Sequence, residues 1–332
     1  MMVELDEILA AQHRIAGHVR PTPLRKSHAL SAELDASIWL KMETMHDTGA
    51  FKLRGAANKI LSLDDTQKSR GVITVSSGNH GRAVAYMARK LNIRAVVCVT
   101  EIIPPEKISG LYDFGAEVIV HGQTQDDADA EARRIAERDG LLFISPFDDP
   151  YVIAGQGTVG LELLTDQPDL DIVFVQLSGG GLMAGTAKAL KCLKPDIKVI
   201  GVSLEHGAAM IESIKAGHIV EVDEKPSIAD ALPGPIPADN QYTFAMCREL
   251  VDDFVQVTDS EILEAMKFIL AKEKCLVEGG AAAGVAAIKR YGSQLEGKKA
   301  ATLLTGNNIS LDRALTALGL KDAQQSETFW IS

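Results

Sequence analysis

The sequence predicts an α/β fold in which helices cover parallel sheet, and three observations support it. Short β-branched runs recur: Gly71-Val72-Ile73-Thr74-Val75, Arg94-Ala95-Val96-Val97-Cys98-Val99, Glu117-Val118-Ile119-Val120, Ile172-Val173-Phe174-Val175 and Val199-Ile200-Gly201-Val202. Segments with helical spacing and length, such as 82–91 and 126–138, lie between them. Each strand-plus-helix unit takes roughly 20 to 25 residues, the expected length of a βα repeat. The repeat runs from residue 71 to about 145 and resumes near 172. It breaks between Pro226 and Thr243, where Pro226, Pro233, Pro235 and Pro237 predict a long ordered loop. Long loops in compact enzymes commonly carry function, so this one is expected to line a substrate pocket. There is no internal repeat or low-complexity tract, and the polar stretch after Leu320 is expected to fray.

With 332 residues and 46% hydrophobic content, the chain can build two packed domains or one large one. The formal charge of −11 is spread without long like-charge blocks, which argues against nucleic acid or an anionic membrane as partner. Cys98, Cys192, Cys247 and Cys275 are far apart and form no CxxC pair, so buried free thiols in a reducing compartment are expected. Residues 1–11 mix Glu4, Asp6 and Glu7 with apolar residues, unlike an export signal. No run of about 18 apolar residues occurs, and a cytoplasmic location is expected.

Three segments concentrate the chemistry. Ser178-Gly179-Gly180-Gly181-Leu182 follows the strand 173–177 and precedes a helix over 182–193, so backbone N–H groups converge where an anion such as phosphate would sit. The same residues satisfy G-x-G-x-x-A through Gly179, Gly181 and Ala184, with Glu205 a little over 20 residues on, after the next strand. On this turn alone, a phosphate cradle, an NAD-dependent oxidoreductase and a ligand-free tight turn all stay open. Ser76-Ser77-Gly78-Asn79-His80-Gly81 is a second strand-to-helix turn. It is either an ordinary helix cap or a turn dense enough in donors to hold a carboxylate.

Lys52, in Thr48-Gly49-Ala50-Phe51-Lys52-Leu53-Arg54-Gly55-Ala56, is the candidate reactive amine. Most lysines are solvated surface charges. This one follows an aromatic and lies in a tract of small and apolar residues, where a buried amine has a lowered pKa and forms a Schiff base with an aldehyde. A lysine, an anion cradle and a donor-rich turn together suit pyridoxal phosphate.

In that combination the chain resembles the fold type II pyridoxal-phosphate enzymes, specifically the serine/threonine dehydratase and serine racemase family. The motifs stand in the family's order over nearly the whole chain: Thr-Gly-Ala-Phe-Lys, Ser-Ser-Gly-Asn-His-Gly, Ala154-Gly155-Gln156-Gly157-Thr158, Ser-Gly-Gly-Gly-Leu, Val277-Glu278-Gly279-Gly280-Ala281 and Leu304-Thr305-Gly306-Asn307-Asn308. The resemblance implies a tryptophan synthase β-like architecture of two parallel-sheet αβα domains with the cofactor between them. Residues 1–46 and 147–320 would form the large cofactor-binding domain, 47–146 the small domain bearing the substrate-carboxylate turn, and 321–332 a tail.

Carried over position by position, the resemblance makes Lys52 the cofactor-bearing and catalytic lysine, with Phe51 packed against the cofactor ring. Asn79 would bond the cofactor's phenolic oxygen, Ser178, Gly179, Gly180, Gly181 and Leu182 would cradle its phosphate, and Glu278 belongs to the cofactor site. Thr305, in place of the more usual serine, would face the pyridine nitrogen, and a hydroxyl there favours elimination over a long-lived carbanion. Ser76, Ser77, Asn79 and His80 would bind the substrate. Ser77 matches the opposite-face acid/base of the family's racemases.

The implied activity is a dehydratase, an ammonia-lyase that eliminates water from a β-hydroxy amino acid, with Lys52 as general base. A serine- or aspartate-type racemase is the alternative. No required metal is expected: Ser203 and Ala209 replace the acids of the metal-binding pattern, leaving Glu205 and His206. The chain ends soon after Thr305, without the regulatory domain of biosynthetic threonine dehydratases, so a catabolic role is expected. The loop from Ser227 to Phe244 resembles the branch containing hydroxyectoine-utilisation and β-hydroxyaspartate dehydratases, which implies a substrate with a second polar group. Met45-His46-Asp47 is either a contact to that group or an ordinary polar turn. Threonine and serine remain the other substrates, and a homodimer is usual in the family.

Overall fold

The computed structural model describes residues 2–223 and 225–320, and the tail expected at 321–332 lies outside them. The chain opens with α1 (Leu5–Ile15), β1 (Leu24–Lys26), α2 (His28–Glu33), β2 (Ser37–Lys41), α3 (Lys52–Leu61) and α4 (Asp65–Arg70). Next come β3 (Val72–Val75), α5 (Asn79–Lys90), β4 (Ala95–Val99), α6 (Pro105–Asp113), β5 (Glu117–Val120), α7 (Gln125–Asp139) and β6 (Leu142–Phe143). These four strands form one parallel sheet in the order β5-β4-β3-β6. Every residue of β3 and β4 is buried, as expected of β-branched strands covered on both faces.

The second sheet is built largely from the rest of the chain: α8 (Pro150–Asp166), β7 (Ile172–Gln176), α9 (Gly181–Leu193), β8 (Lys198–Leu204), α10 (Ala209–Ala216), α11 (Thr243–Leu250), β9 (Asp253–Val257), α12 (Asp259–Phe268), α13 (Gly279–Tyr291), β10 (Lys299–Leu303) and α14 (Leu311–Ala317). Its order is β1-β2-β10-β7-β8-β9, parallel except for the β1/β2 pair. Strand β10 lies between β2 and β7, pairing Ala301 with Trp39 on one side and with Val173 on the other. The two sheets carry separate apolar cores, one around Val72, Val84 and Met87 and another around Val173, Met183 and Leu190.

All five strands read from the sequence form. Helix α5 begins at Asn79 rather than Arg82, because the Ser/Asn turn itself winds into the first helical turn. Between Pro226 and Tyr242 no helix or strand occurs among the described residues, in line with the proline content. The cysteines depart from expectation: Cys98 and Cys247 are buried, but Cys192 is exposed and Cys275 is half-buried.

Helix α3, which starts at Lys52, is fixed by a buried ion network. Arg54 Nε and Nη2 donate to Glu43 at 2.7 and 2.8 Å, while Nη1 and Nη2 donate to Glu162 of α8 at 2.6 and 2.8 Å. Arg54 Nη1 also donates to Thr158 Oγ1 at 3.0 Å. Lys41 Nζ of β2 reaches Glu162 at 2.8 Å, and His46 Nε2 lies 3.0 Å from Glu43. Burial pushes the Glu43 carboxyl up, but Arg54 and His46 outweigh it and hold it well below the ordinary carboxylate range. Replacing Arg54 with methionine takes the shared cation from buried Glu43 and part-buried Glu162, leaving them only His46 and Lys41, and a loss of about 3–5 kcal/mol is expected in urea unfolding. A loss under about 1 kcal/mol would show that the carboxylates re-pair or hydrate without it.

Candidate active site

The C-terminal ends of β3 and β7 face one cavity of about 350 Å³, where α/β sheets commonly place ligands. Its wall includes Phe51 and Lys52 at the start of α3, both strand-to-helix turns, Glu278 before α13, and Thr305 after β10. The structure therefore brings together every site residue read from the sequence: Phe51, Lys52, Ser76, Ser77, Asn79, His80, Ser178, Gly179, Gly180, Gly181, Leu182, Glu278 and Thr305.

Lys52 keeps part of its side chain open to the cavity, while its amine donates to Pro146 O at 2.6 Å. Removal of the amine from water lowers its pKa to about 8, so a sizeable fraction is neutral near physiological pH. The neighbouring Phe51 ring has its centroid 5.3 Å from Lys52 Nζ.

The glycine turn owes its shape to close packing. Gly180 sits at φ +90, and a Cβ on Gly179 would come within 2.4 Å of the Phe147 ring. A Cβ on Gly181 would come within 2.8 Å of the Phe147 carbonyl oxygen. The backbone N–H groups of Gly179, Gly180 and Gly181 find no acceptor among the described residues. They crown the N-terminus of α9, which favours an anion. An amine of lowered pKa and an anion cradle in one cavity fit an aldehyde that carries a phosphate.

The second turn opens the N-terminus of α5 to the same cavity. His80 Nε2 is 3.1 Å from Ile144 O, so this nitrogen carries the hydrogen and donates, while Nδ1 has no partner among the described residues. Burial, reinforced by Lys52, depresses the imidazole to a pKa of about 3 and keeps it neutral. What His80 offers an anion is thus its backbone N–H rather than its ring. Asn79 Nδ2 donates to Glu278 Oε1 at 2.7 Å, and Asn308 Nδ2 donates to Asn79 Oδ1 and, at 2.9 Å, to Thr48 O. Burial pushes the Glu278 carboxyl up to about 7 even though Asn79 and the Asn308 backbone donate to it. Thr305 is buried, and its carbonyl accepts from Phe51 N at 3.0 Å, tying the last motif to the first.

Other sequence readings land elsewhere. Glu205 and His206 line a second cavity of about 310 Å³, and Glu205 lies 3.8 Å from Arg290. Glu205 is therefore not placed beside the glycine turn as a dinucleotide-binding acid would be, which removes the oxidoreductase reading. His46 and Asp47 belong to the scaffold: His46 bonds Glu43, and Asp47 accepts from Tyr86 Oη at 2.6 Å. Of the long loop, Asp230, Ala231, Leu232 and Pro233 line the cavity. Asn240 instead bonds Thr243 and Phe244 locally. Arg82, Lys107, Gln125, Pro146, Phe147 and Asn308 also line it without having been singled out. Only Asn308 stood inside a recognised motif.

The model of the family described as "Pyridoxal-phosphate dependent enzyme" matches residues 15–306. The chain belongs to this family. It is 43% identical over 309 residues to a putative threonine dehydratase from Sinorhizobium fredii, covering 93% of both chains. It is 38% identical to the L-threo-3-hydroxyaspartate ammonia-lyase of Saccharomyces cerevisiae, over 95% of this chain and 96% of that one. Maize serine racemase superposes with a TM-score of 0.90 at 34% identity, over 96% of this chain and 98% of the other. As a pyridoxal-phosphate dependent enzyme of fold type II, the protein uses pyridoxal phosphate, and the cavity described above suits it. No helix among the described residues is long and apolar enough to cross a membrane.

Two expectations follow for the cofactor. Capture of pyridoxal phosphate by the cofactor-free protein should accelerate as pH rises through about 8, since only neutral Lys52 is nucleophilic, and Lys52→Ala should lose the visible band. A capture rate that is flat in pH would show that amine ionisation does not limit it. Gly181→Ala forces a Cβ against the Phe147 backbone, and cofactor affinity should drop about tenfold or more in a titration.

Proposed function

We propose that the protein is a pyridoxal-phosphate-dependent dehydratase that removes water from a β-hydroxy amino acid and delivers an oxo acid and ammonia. The observation that carries this reading is one buried amine, Lys52, facing the same cavity as two helix N-termini, those of α5 and α9. The relatives named for threonine and 3-hydroxyaspartate dehydration support it.

When bound, the cofactor supplies an electron sink that acidifies the substrate's α-proton. Ser178 through Leu182 would hold its phosphate, Thr305 would serve its ring nitrogen, and Asn79, kept in place by Glu278 and Asn308, would serve its phenolic oxygen. Phe51 would pack beside the ring. Ser76, Ser77 and the first-turn N–H groups of α5 hold the α-carboxylate. Lys52 Nζ would take the α-proton, a role its lowered pKa suits. Residues 47–146 act as a small domain whose turn closes over the carboxylate and excludes water. A cytoplasmic homodimer working in amino acid catabolism, with hydroxyectoine-derived amino acids among the candidate substrates, completes the proposal.

Racemisation is the second reading, favoured by Ser77: it lines the cavity with Lys52 and makes no hydrogen bond among the described residues. In an ammonia-release assay over β-hydroxy amino acids, turnover is expected for wild type and its abolition for Lys52→Ala. Ammonia released in the absence of Lys52 would remove it as the base. Ser77→Ala should keep measurable ammonia release while losing any exchange between L and D substrate. Loss of both in parallel would argue that Ser77 serves binding instead.

A further inference from the structure

One cation in the cavity wall makes no side-chain hydrogen bond or close ion pair among the described residues, although the Asp113 and Glu278 carboxylates act on it from a distance. Arg82, on the second turn of α5, is half-buried, and its guanidinium forms no hydrogen bond or ion pair with any described residue. Its guanidinium lies against Gly110 of α6, where a Cβ would sit 2.1 Å from Nη2, so a side chain at residue 110 would displace the guanidinium from this position. The other cation of this part of the wall is committed: Lys107 Nζ donates to Asp230 Oδ2 at 2.9 Å, and the same oxygen accepts from Arg313 at 2.8 Å. Withdrawing a guanidinium from water without a partner costs free energy, and an anion arriving from outside recovers it.

Two anion sites in this cavity already have occupants under the proposed function: the N-terminus of α9 for phosphate and that of α5 for the α-carboxylate. Arg82 stands three residues beyond Asn79 on α5, on the face that carries Asn79 to the cavity. Lys107, three residues before Gly110 on α6, and Gln125 at the start of α7 line the same cavity. A third positive point beyond the carboxylate turn is matched by a third negative group, and the substrate's side chain is where such a group would be.

We infer that Arg82 is a specificity-determining residue that binds a carboxylate on the substrate side chain, so that the preferred β-hydroxy amino acids are dicarboxylic, of the 3-hydroxyaspartate type. This inference rests on the dehydratase reading. A planar guanidinium grips a carboxylate through two parallel N–H donors, which an ammonium or amide cannot reproduce. A methyl group in the same place, as in threonine, leaves the guanidinium unpaired and is disfavoured for that reason.

The test compares kcat/KM for ammonia release from each stereoisomer of 3-hydroxyaspartate with that from L-threonine, for wild type, Arg82→Gln and Arg82→Lys. The hydroxyaspartate-to-threonine ratio of wild type should exceed one for the best isomer and fall about 100-fold in Arg82→Gln, with partial recovery in Arg82→Lys. A ratio unmoved by Arg82→Gln, or a parallel loss for both substrates, overturns the inference and returns Arg82 to the scaffold or to the α-carboxylate. The second measurement needs no turnover: titration of each cofactor-loaded protein with L-aspartate and L-alanine. Arg82→Gln should weaken L-aspartate at least tenfold more than L-alanine, and equal weakening overturns the inference. Absence of ammonia from all hydroxy amino acids with wild type would instead fail the dehydratase reading, while the L-aspartate titration still decides the role of Arg82.

Discussion

The doubly clamped guanidinium of Arg54 is the constraint on which the placement of the reactive lysine depends. It lies two residues after Lys52 and is held by Glu43, just after β2, and by Glu162 of α8. Helix α3 is thereby fixed in rotation and in height, and the amine at its first position is fixed with it. A lysine on a loop would explore many positions, but a lysine at the start of an immobilised helix presents its amine at one. Arg54 and Lys41 compensate Glu43 and Glu162, and Lys41 also reaches the exposed Asp166, so the interior carries charge without an unpaired buried group. His46 joins the same cluster through Glu43, which explains why a polar residue so near the lysine motif takes no part in the cavity.

The anion sites follow a different rule. Both proposed sites are strand-to-helix turns at the carboxyl ends of buried parallel strands, one from each sheet, and the donors they offer are backbone groups. Side chains shape the turns more than they bind: Phe147 packs beneath the glycines, and Glu278 and Asn308 hold Asn79. The polarity of the cavity is thus built into secondary structure, while selectivity is left to the few side chains that reach beyond it.

Much of this was legible in the chain. The β-branched runs gave five of the ten strands, and the three motifs with the lysine, the Ser/Asn turn and the triple glycine identified the cavity. Strand β10 was harder to see, because Lys-Ala-Ala-Thr-Leu has little intrinsic strand preference and is fixed by pairing with β2 and β7. Arg82 was hidden for a related reason: as a charged residue in a helical stretch it looks like surface, and only the packing against Gly110 brings it to the cavity wall. Pro146 and Phe147 act through a carbonyl and a ring face whose partners are far away in sequence. Glu205 misled in the other direction, since its spacing from the glycines was right but the chain carries it to a separate cavity.

Three consecutive residues between β6 and α8 bear on everything described above. Pro146 offers its carbonyl to the lysine amine, Phe147 packs under the glycine turn, and the Asp148 carboxylate accepts from the backbone of Gln241, Tyr242 and Thr243 at 2.7 to 3.0 Å. A single short strip of backbone therefore serves as common foundation for Lys52, the glycine turn and the entry to α11. Such a foundation makes the three parts hard to retune independently: a displacement of one residue in the strip is transmitted to all of them together. Diversification of this scaffold is correspondingly easier at the rim of the cavity, where side chains such as Arg82 lie outside this strip.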